Sequence, residues 1–131
     1  MLFRSSAFNF EINYENISLV NTIETPAYFN GVRGSTNGVE IKDEIWFLCH
    51  MVDYEGNRYY YHMFIVLDKK TLKIKSATQM FTFDGCKIEY TLGFCYYEKE
   101  DTFLVGYSKL DTNPDYYFVS KNTIDNMMVY Y

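Results

Sequence analysis

The sequence predicts an all-β protein, and three observations lead to this fold class. First, it has 14 tyrosines and 11 phenylalanines among 131 residues, and aromatic side chains favour pleated, half-buried surfaces. Second, short apolar runs alternate with Gly, Asn and Asp turn signals, as in strands joined by hairpins. Third, residues 39–83 and 88–120 form two units of similar make-up, with a period of about 45 residues.

Length and charge limit the function classes. A chain of 131 residues is expected to form a single domain spanning residues 1–131. The net charge is −5, and no basic cluster exceeds two adjacent residues. This pattern disfavours binding to nucleic acid or to an anionic membrane. No apolar run approaches the roughly 20 residues of a membrane span.

Targeting signals and cysteines predict a reducing compartment. The N-terminus lacks the basic and apolar regions of a signal peptide, so we expect a cytoplasmic protein. Cys49, Cys86 and Cys95 are odd in number and have no CxxC spacing. They are expected to be buried free thiols, without a metal site or cofactor.

The first elements are two strands and a loop. Residues 8–13 alternate apolar and polar side chains, which predicts a half-buried strand. Residues 17–23 are rich in β-branched side chains and predict a second strand, which ends at Pro26. Residues 31–34 contain two glycines and predict a tight loop.

The middle of the chain predicts a meander. Residues 39–41 predict a short strand, and residues 45–52 predict one buried on both faces, because they are almost continuously apolar. A hairpin turn with Gly56 and Asn57 leads into a return strand over residues 58–68. Residues 72–83 predict the third long strand.

A second meander follows. Residues 88–97 and 102–107 predict strands joined by a charged turn. Residues 108–115, with Pro114, predict a loop, and residues 115–120 a last strand. A short helix is expected up to residue 128, capped by Asn122 or Thr123.

Units of this kind build β-propellers and sandwiches. The chain has room for about two and a half blades, whereas a closed propeller needs at least about four. Either a second copy or partner chain completes a ring, or the chain is one piece of a larger parent, or two sheets pack as an open sandwich.

Several apolar runs end with polar side chains that are common in ligand-binding sites. The Arg33 guanidinium and the Ser35 hydroxyl are suited to an oxyanion or a sugar hydroxyl; the alternative is an ion pair of Arg33 with Glu40 or Asp43. His50 is either a hydrogen-bonded core residue or a ligand donor.

Two carboxylates are also candidates. Glu89 lies between apolar neighbours, and a buried carboxylate needs a partner. The choices are an arginine, a histidine or a sugar hydroxyl. Asp111 is either a hydroxyl acceptor or a surface cap. Alternation places Tyr60 and His62 on one face of their strand.

Several short segments occur once each along the chain, in a characteristic order. They are residues 33–35, 46–50, 61–62, 81–83, 88–90 with Gly93, and 107–108 with Asp111. This order resembles the C-terminal blades of five-bladed propellers of the β-mannoside phosphorylase family of glycoside hydrolases, and related modules beside glycosyltransferases. The resemblance covers residues 26–128.

The resemblance implies a site for a glycan or sugar phosphate, with inorganic phosphate as co-substrate. His50 would help to bind phosphate, and Asp111 would contact the sugar. The implied substrate- and phosphate-binding residues are Arg33, Ser35, His50, Tyr60, His62, Glu89, Tyr107 and Asp111.

The family's catalytic Asp lies in N-terminal blades that have no counterpart here. Met63 stands where relatives often carry Arg. The expected function is therefore a carbohydrate-active segment related to inverting glycoside phosphorylases, or a non-catalytic glycan-binding or scaffolding module. A purely structural domain that associates through its strand edges is the third alternative.

Overall fold

The computed structural model describes residues 6–12 and 17–131. The predicted strand end at Asn13 lies outside these residues. Eleven strands and one short helix make up the described chain, which confirms the all-β class. The strands are β1 (Ser6–Ile12), β2 (Ile17–Glu24), β3 (Arg33–Gly34), β4 (Val39–Ile41), β5 (Glu44–Asp53), β6 (Tyr59–Asp68), β7 (Ile74–Thr78), β8 (Glu89–Tyr97), β9 (Thr102–Lys109), β10 (Asn113–Ser120) and β11 (Met128–Tyr130), and the helix is α1 (Lys121–Asp125).

The strands form three antiparallel sheets. The first has the order β11-β7-β6-β5-β3, with β4 also beside β5. The second has the order β10-β9-β8. Strands β1 and β2 pair with each other as a separate hairpin.

Strands β5 and β6 are the backbone of the first sheet. Their register runs without a bulge from Glu44↔Asp68 to Asp53↔Tyr59. The turn between them places Gly56 at φ +75, a conformation that glycine adopts without strain. Both faces of the pair are buried, as the apolar run predicts.

The two large sheets pack face to face around an aromatic core. Phe64 of β6 lies with its ring centroid 5.2 Å from Phe103 and 5.5 Å from Phe94. Trp46 lies 5.3 Å from Phe103. All four side chains are at least nine-tenths buried, so this contact holds the sheets together.

The opposite face of the first sheet has its own cover. A 3-10 turn, Ala27–Phe29, follows Pro26 and places Phe29 over that face. Val32, Cys49 and Met63 belong to the same buried cluster. The segment after Pro26 is thus part of the core.

The third predicted strand is shorter than expected. β7 covers only Ile74–Thr78, and a bulge lies between Val66 and Leu67 of its partner strand. Phe81 forms a single bridge with His62. The strand prediction was wrong for residues 79–83. Gln79 N–H bonds to Met127 O, and Phe81 is joined to β6 only by its bridge to His62. Beyond that bridge, the N–H groups of Phe83, Asp84 and Cys86 bond to the Glu89 carboxylate instead of to a strand.

The predicted loop over residues 108–115 was also wrong. β9 continues to Lys109, and a tight turn places Leu110 and Asp111 at φ 52 and 59. β10 then begins at Asn113 and includes Pro114. Proline is tolerated because β10 is an edge strand.

The C-terminus differs in two ways from the prediction. The short helix is confirmed, but it begins after Ser120, whose side chain accepts from the Thr123 N–H, and it ends at Asp125. The unpredicted strand β11 pairs with β7 through Met128↔Thr78. The last residues therefore extend the first sheet.

The three cysteines are free. Cys49 is buried, and burial raises the pKa of its thiol to about 12. Cys95 is exposed, so the prediction of buried thiols was wrong for this residue. Cys95 lies on the face of the second sheet that points away from the first sheet.

Candidate functional site

A row of polar side chains crosses the first sheet. Arg33 of β3 pairs with His50 of β5, and His50 pairs with His62 of β6. Directly paired residues share a face of a sheet. Two histidines and one arginine, predicted separately from sequence, thus lie in line on the face toward the second sheet.

His50 is the centre of this row. Its Nδ1 lies 2.6 Å from Ser35 Oγ, within hydrogen-bond distance. The Tyr60 ring stacks on the imidazole at 5.8 Å, and the Tyr90 ring meets it edge-on at 5.5 Å. Only 6% of His50 is exposed, so two tyrosines and a serine enclose it.

The environment disfavours a charged His50. Burial, then the nearby His62 and Arg33, lower its pKa from 6.5 to about 4. The imidazole is therefore neutral near pH 7. A base this weak is poorly matched to deprotonating Ser35 at that pH.

The lowered pKa predicts loss of stability in acid. Between pH 6.5 and about 4, the unfolded His50 binds a proton that the folded one does not. Stability should thus fall as the pH drops through this window, by at most about 3 kcal/mol. Urea unfolding at several pH values would measure it for the wild type and for His50→Gln.

The difference between the two proteins isolates His50 from other groups. The variant should lose less stability over the window than the wild type. Parallel pH profiles would contradict the assignment.

Glu89 is held by the backbone. Its carboxylate accepts N–H groups from Phe83, Asp84 and Cys86 at 2.8 to 3.0 Å. Burial raises the pKa of Glu89, but His62 and these N–H groups outweigh burial and lower it. The sequence alternative of a histidine partner is therefore the one observed.

His62 completes the buried part of the site. Its Nε2 lies 3.4 Å from Glu89 Oε2, and both side chains are fully buried. Among the described residues, neither ring nitrogen of His62 has a hydrogen-bond partner. The Phe83 ring lies 4.6 Å from the imidazole. Glu89 and His62 thus form the buried part of the site, beneath the more exposed Arg33.

Tyr107 and Asp111 lie at the same end of the second sheet. The Tyr107 hydroxyl donates to Asp84 Oδ2 at 3.1 Å, and burial, then Asp84, raises the pKa of Tyr107 to about 12. Asp111 sits in the β9–β10 turn, 3.9 Å from Arg58, and both side chains are at least half exposed. Tyr107 is therefore buried at this end of the sheet, whereas Asp111 is exposed to solvent.

Arg33 is exposed. Neither Glu40 nor Asp43, the two ion-pair partners that the sequence suggested for Arg33, pairs with it in the described part of the chain. Glu40 pairs with Lys69 at 2.7 Å, and in residues 6–12 and 17–131 Asp43 forms no ion pair with it within 4.0 Å. The guanidinium thus remains available beside His50.

Sequence reasoning missed Tyr90 and Asp84. Alternation places Tyr90 on the face opposite to Glu89, yet its ring contacts His50. Asp84 pairs with Lys109 at 3.1 Å. No local sequence signal points to either contact, because both partners lie far away along the chain.

A separate cleft of about 400 Å³ lies at the other end of the sheets. Residues 41–44, Lys75, Tyr96, Asp101 and Lys121 line it. Lys75 bonds to Glu44 at 2.6 Å, and Lys121 bonds to Asp125 at 2.8 Å. None of the predicted binding residues lines this cleft.

Comparison of the chain with known protein families, curated proteins and solved structures found no match. Across the described ranges, no helix is long and apolar enough to cross a membrane. In the same part of the chain, no three His, Cys, Asp or Glu side chains converge as metal ligands.

Proposed function

We propose that the chain is a non-catalytic module that binds a carbohydrate carrying an anionic group, such as a sugar phosphate. The observation that carries this proposal is the exposed Arg33 beside the neutral His50–Ser35 pair. Tyr60 and Tyr90 flank the pair. This is a small polar set between aromatic walls, a common make-up of ligand sites.

Each group has a distinct role in the proposed complex. The Arg33 guanidinium forms charge-assisted hydrogen bonds to the phosphate oxygens. His50 and Ser35 donate or accept a hydrogen bond according to the imidazole tautomer. The exposed part of the Tyr90 ring, 39% exposed as a residue, offers an apolar face to the sugar.

Binding is favoured over catalysis for a chemical reason. Inverting glycoside chemistry needs a carboxylic acid that reaches the leaving oxygen. Both oxygens of Glu89 accept backbone N–H groups, and the side chain is fully buried. Asp111 is solvent-exposed beside Arg58.

The architecture fits this proposal as two adjacent blades of propeller type. Two antiparallel meanders pack face to face, as neighbouring blades do. The polar row and the Asp111 turn lie at the same end of both meanders. In such a fold, ligands bind where blade ends meet at the central channel.

Titration of the full chain tests the proposal. Mannose 1-phosphate, mannose and inorganic phosphate would be added separately, with binding followed by calorimetry and NMR shifts. We expect saturable binding of the sugar phosphate. Arg33→Gln should weaken it at least about tenfold, because a hydrogen bond to a charged group contributes about 1.5–3 kcal/mol.

Lys70→Gln is the matched control. It removes the same charge from the exposed β6–β7 turn and should leave the affinity unchanged. Absence of saturable binding, or an equal loss in both variants, would refute the site. Release of sugar phosphate from a β-mannoside and phosphate would replace binding with the catalytic alternative.

A further inference from the structure

The outer face of the second sheet is apolar and uncovered. The register places Cys95, Leu104 and Phe118 in one row across β8, β9 and β10. Gly93, Gly106 and Tyr116 form the next row. The opposite face of this sheet packs on the first sheet through Phe94, Phe103 and Val105. The outer face has no such partner within the described chain.

Its side chains are unusually exposed for apolar groups. The exposed fractions are 63% for Leu92, 46% for Tyr97, 70% for Tyr116 and 66% for Phe118. With about 200 Å² for an aromatic side chain, these residues together with Leu104 and Cys95 expose about 500 Å². A patch of about 500 Å² is comparable to the largest apolar patch on a typical monomer, and such patches are often functional.

We propose that a second copy of this chain packs on this face, giving a two-fold symmetric dimer. Two such faces would bury about 1,000 Å² in total, the lower bound of a specific interface. A two-fold contact joins the same patch on both copies. The proposed contact does not involve Arg33, Ser35 or His50, although Tyr90 pairs with Ser108 and so borders both surfaces.

The absence of charge on this face favours a second copy. The register places Tyr90, Cys95, Tyr97, Thr102, Leu104, Ser108, Pro114, Tyr116, Phe118 and Ser120 on this face, and the exposed Leu92 lies beside them at the β8 bulge. None of these side chains carries a charge at neutral pH. A partner that is recognised through its charge would need an opposite charge on this face, and the face has none. A self-complementary apolar patch allows two chains of net charge −5 to meet, with their charges kept outside the contact.

Edge chemistry supports association on the same side. β10 pairs only with β9. Asp115 is the only charged residue in it. Proteins that stay monomeric usually protect their edge strands with several charged residues or with proline. β10 has only Pro114 and Asp115 for this purpose. Burial of Tyr116 and Phe118 in a dimer would also shield this edge.

Sedimentation of the full chain over a concentration series is the first test. The wild type should approach twice the 15.6 kDa of one chain. Leu92→Lys places two like charges in the contact and should weaken dimerisation at least about 100-fold. Leu110→Lys is the control, since Leu110 is 52% exposed in the β9–β10 turn and should leave the dimer intact.

Labelling of Cys95 gives a second readout. Its thiol should react more slowly with a thiol reagent at dimer-forming concentrations than in Leu92→Lys. Circular dichroism would verify that both variants are folded.

Three outcomes would overturn the proposal. The first is a monomeric wild type at high micromolar concentration, whether Cys95 reacts freely or is covered by the chain's own β1–β2 hairpin. The second is a dimer unaffected by Leu92→Lys. The third is a monomer that binds an insoluble polysaccharide through this face, which would assign the patch to a glycan.

Discussion

Replacing Glu89 with alanine is expected to lower the free energy of unfolding by about 3–5 kcal/mol. The substitution removes the acceptor of the Phe83, Asp84 and Cys86 N–H groups. It also removes the carboxylate that lies 3.4 Å from the fully buried His62 imidazole. Urea unfolding followed by circular dichroism would measure the loss.

Two further variants separate the causes. Glu89→Gln keeps the shape, but its amide nitrogen must face one of the backbone N–H donors, so we expect an intermediate loss. Glu40→Gln is the control, because Glu40 forms a solvent-exposed pair with Lys69, and exposed ion pairs contribute little to stability. Equal losses in Glu89→Ala and Glu40→Gln would show that the carboxylate does not hold the segment.

The expected loss reflects how the segment is built. Residues 83–86 lack strand partners, so their N–H groups depend on one side chain. Phe83 in turn stacks on Tyr107 at 4.7 Å and lies 4.6 Å from His62. Release of the segment would therefore open the buried side of the polar row as well as the connection between the sheets.

The apolar pattern was sufficient to predict most strands. β5 and β6 are long, nearly continuous apolar runs joined by a Gly-Asn turn, so local signals and burial agree. The same holds for β8 and β9 with their charged turn. The all-β class follows from these elements alone.

The errors arose where distant parts of the chain override local signals. Pro114 normally breaks a strand, but an edge position tolerates it. β11 forms only because β7 offers a free edge, which the residues of β11 do not reveal. Ser120 caps the helix although Asn122 and Thr123 are also suitable residues.

The site was predictable in its residues more than in their roles. Alternation and register bring Arg33, His50 and His62 into one row. Whether the Glu89 carboxylate binds a ligand or backbone N–H groups depends on the path of residues 83–86. No sequence pattern predicts that path. Tyr90 reaches His50 despite the alternation that assigns it to the other face.

Replacing Phe103 with alanine should cost about 3–5 kcal/mol of stability. Phe103 is fully buried, and its ring lies 5.3 Å or less from those of Trp46, Phe64 and Tyr96. The cavity would lie where the two sheets meet, and rigid strands on both sides limit its collapse. Unfolding by urea, followed by the near-ultraviolet signal of Trp46, would report on this contact directly.

Tyr54→Ala is the matched control for loss of an aromatic ring. Tyr54 is 65% exposed in the β5–β6 turn, so we expect a change within about 0.5 kcal/mol. If both variants changed stability equally, the face-to-face packing would not be what joins the sheets. A large loss at Phe103 alone, with one cooperative transition, would mean that the two meanders fold as one unit, and that the polar site between them exists only when both are in place.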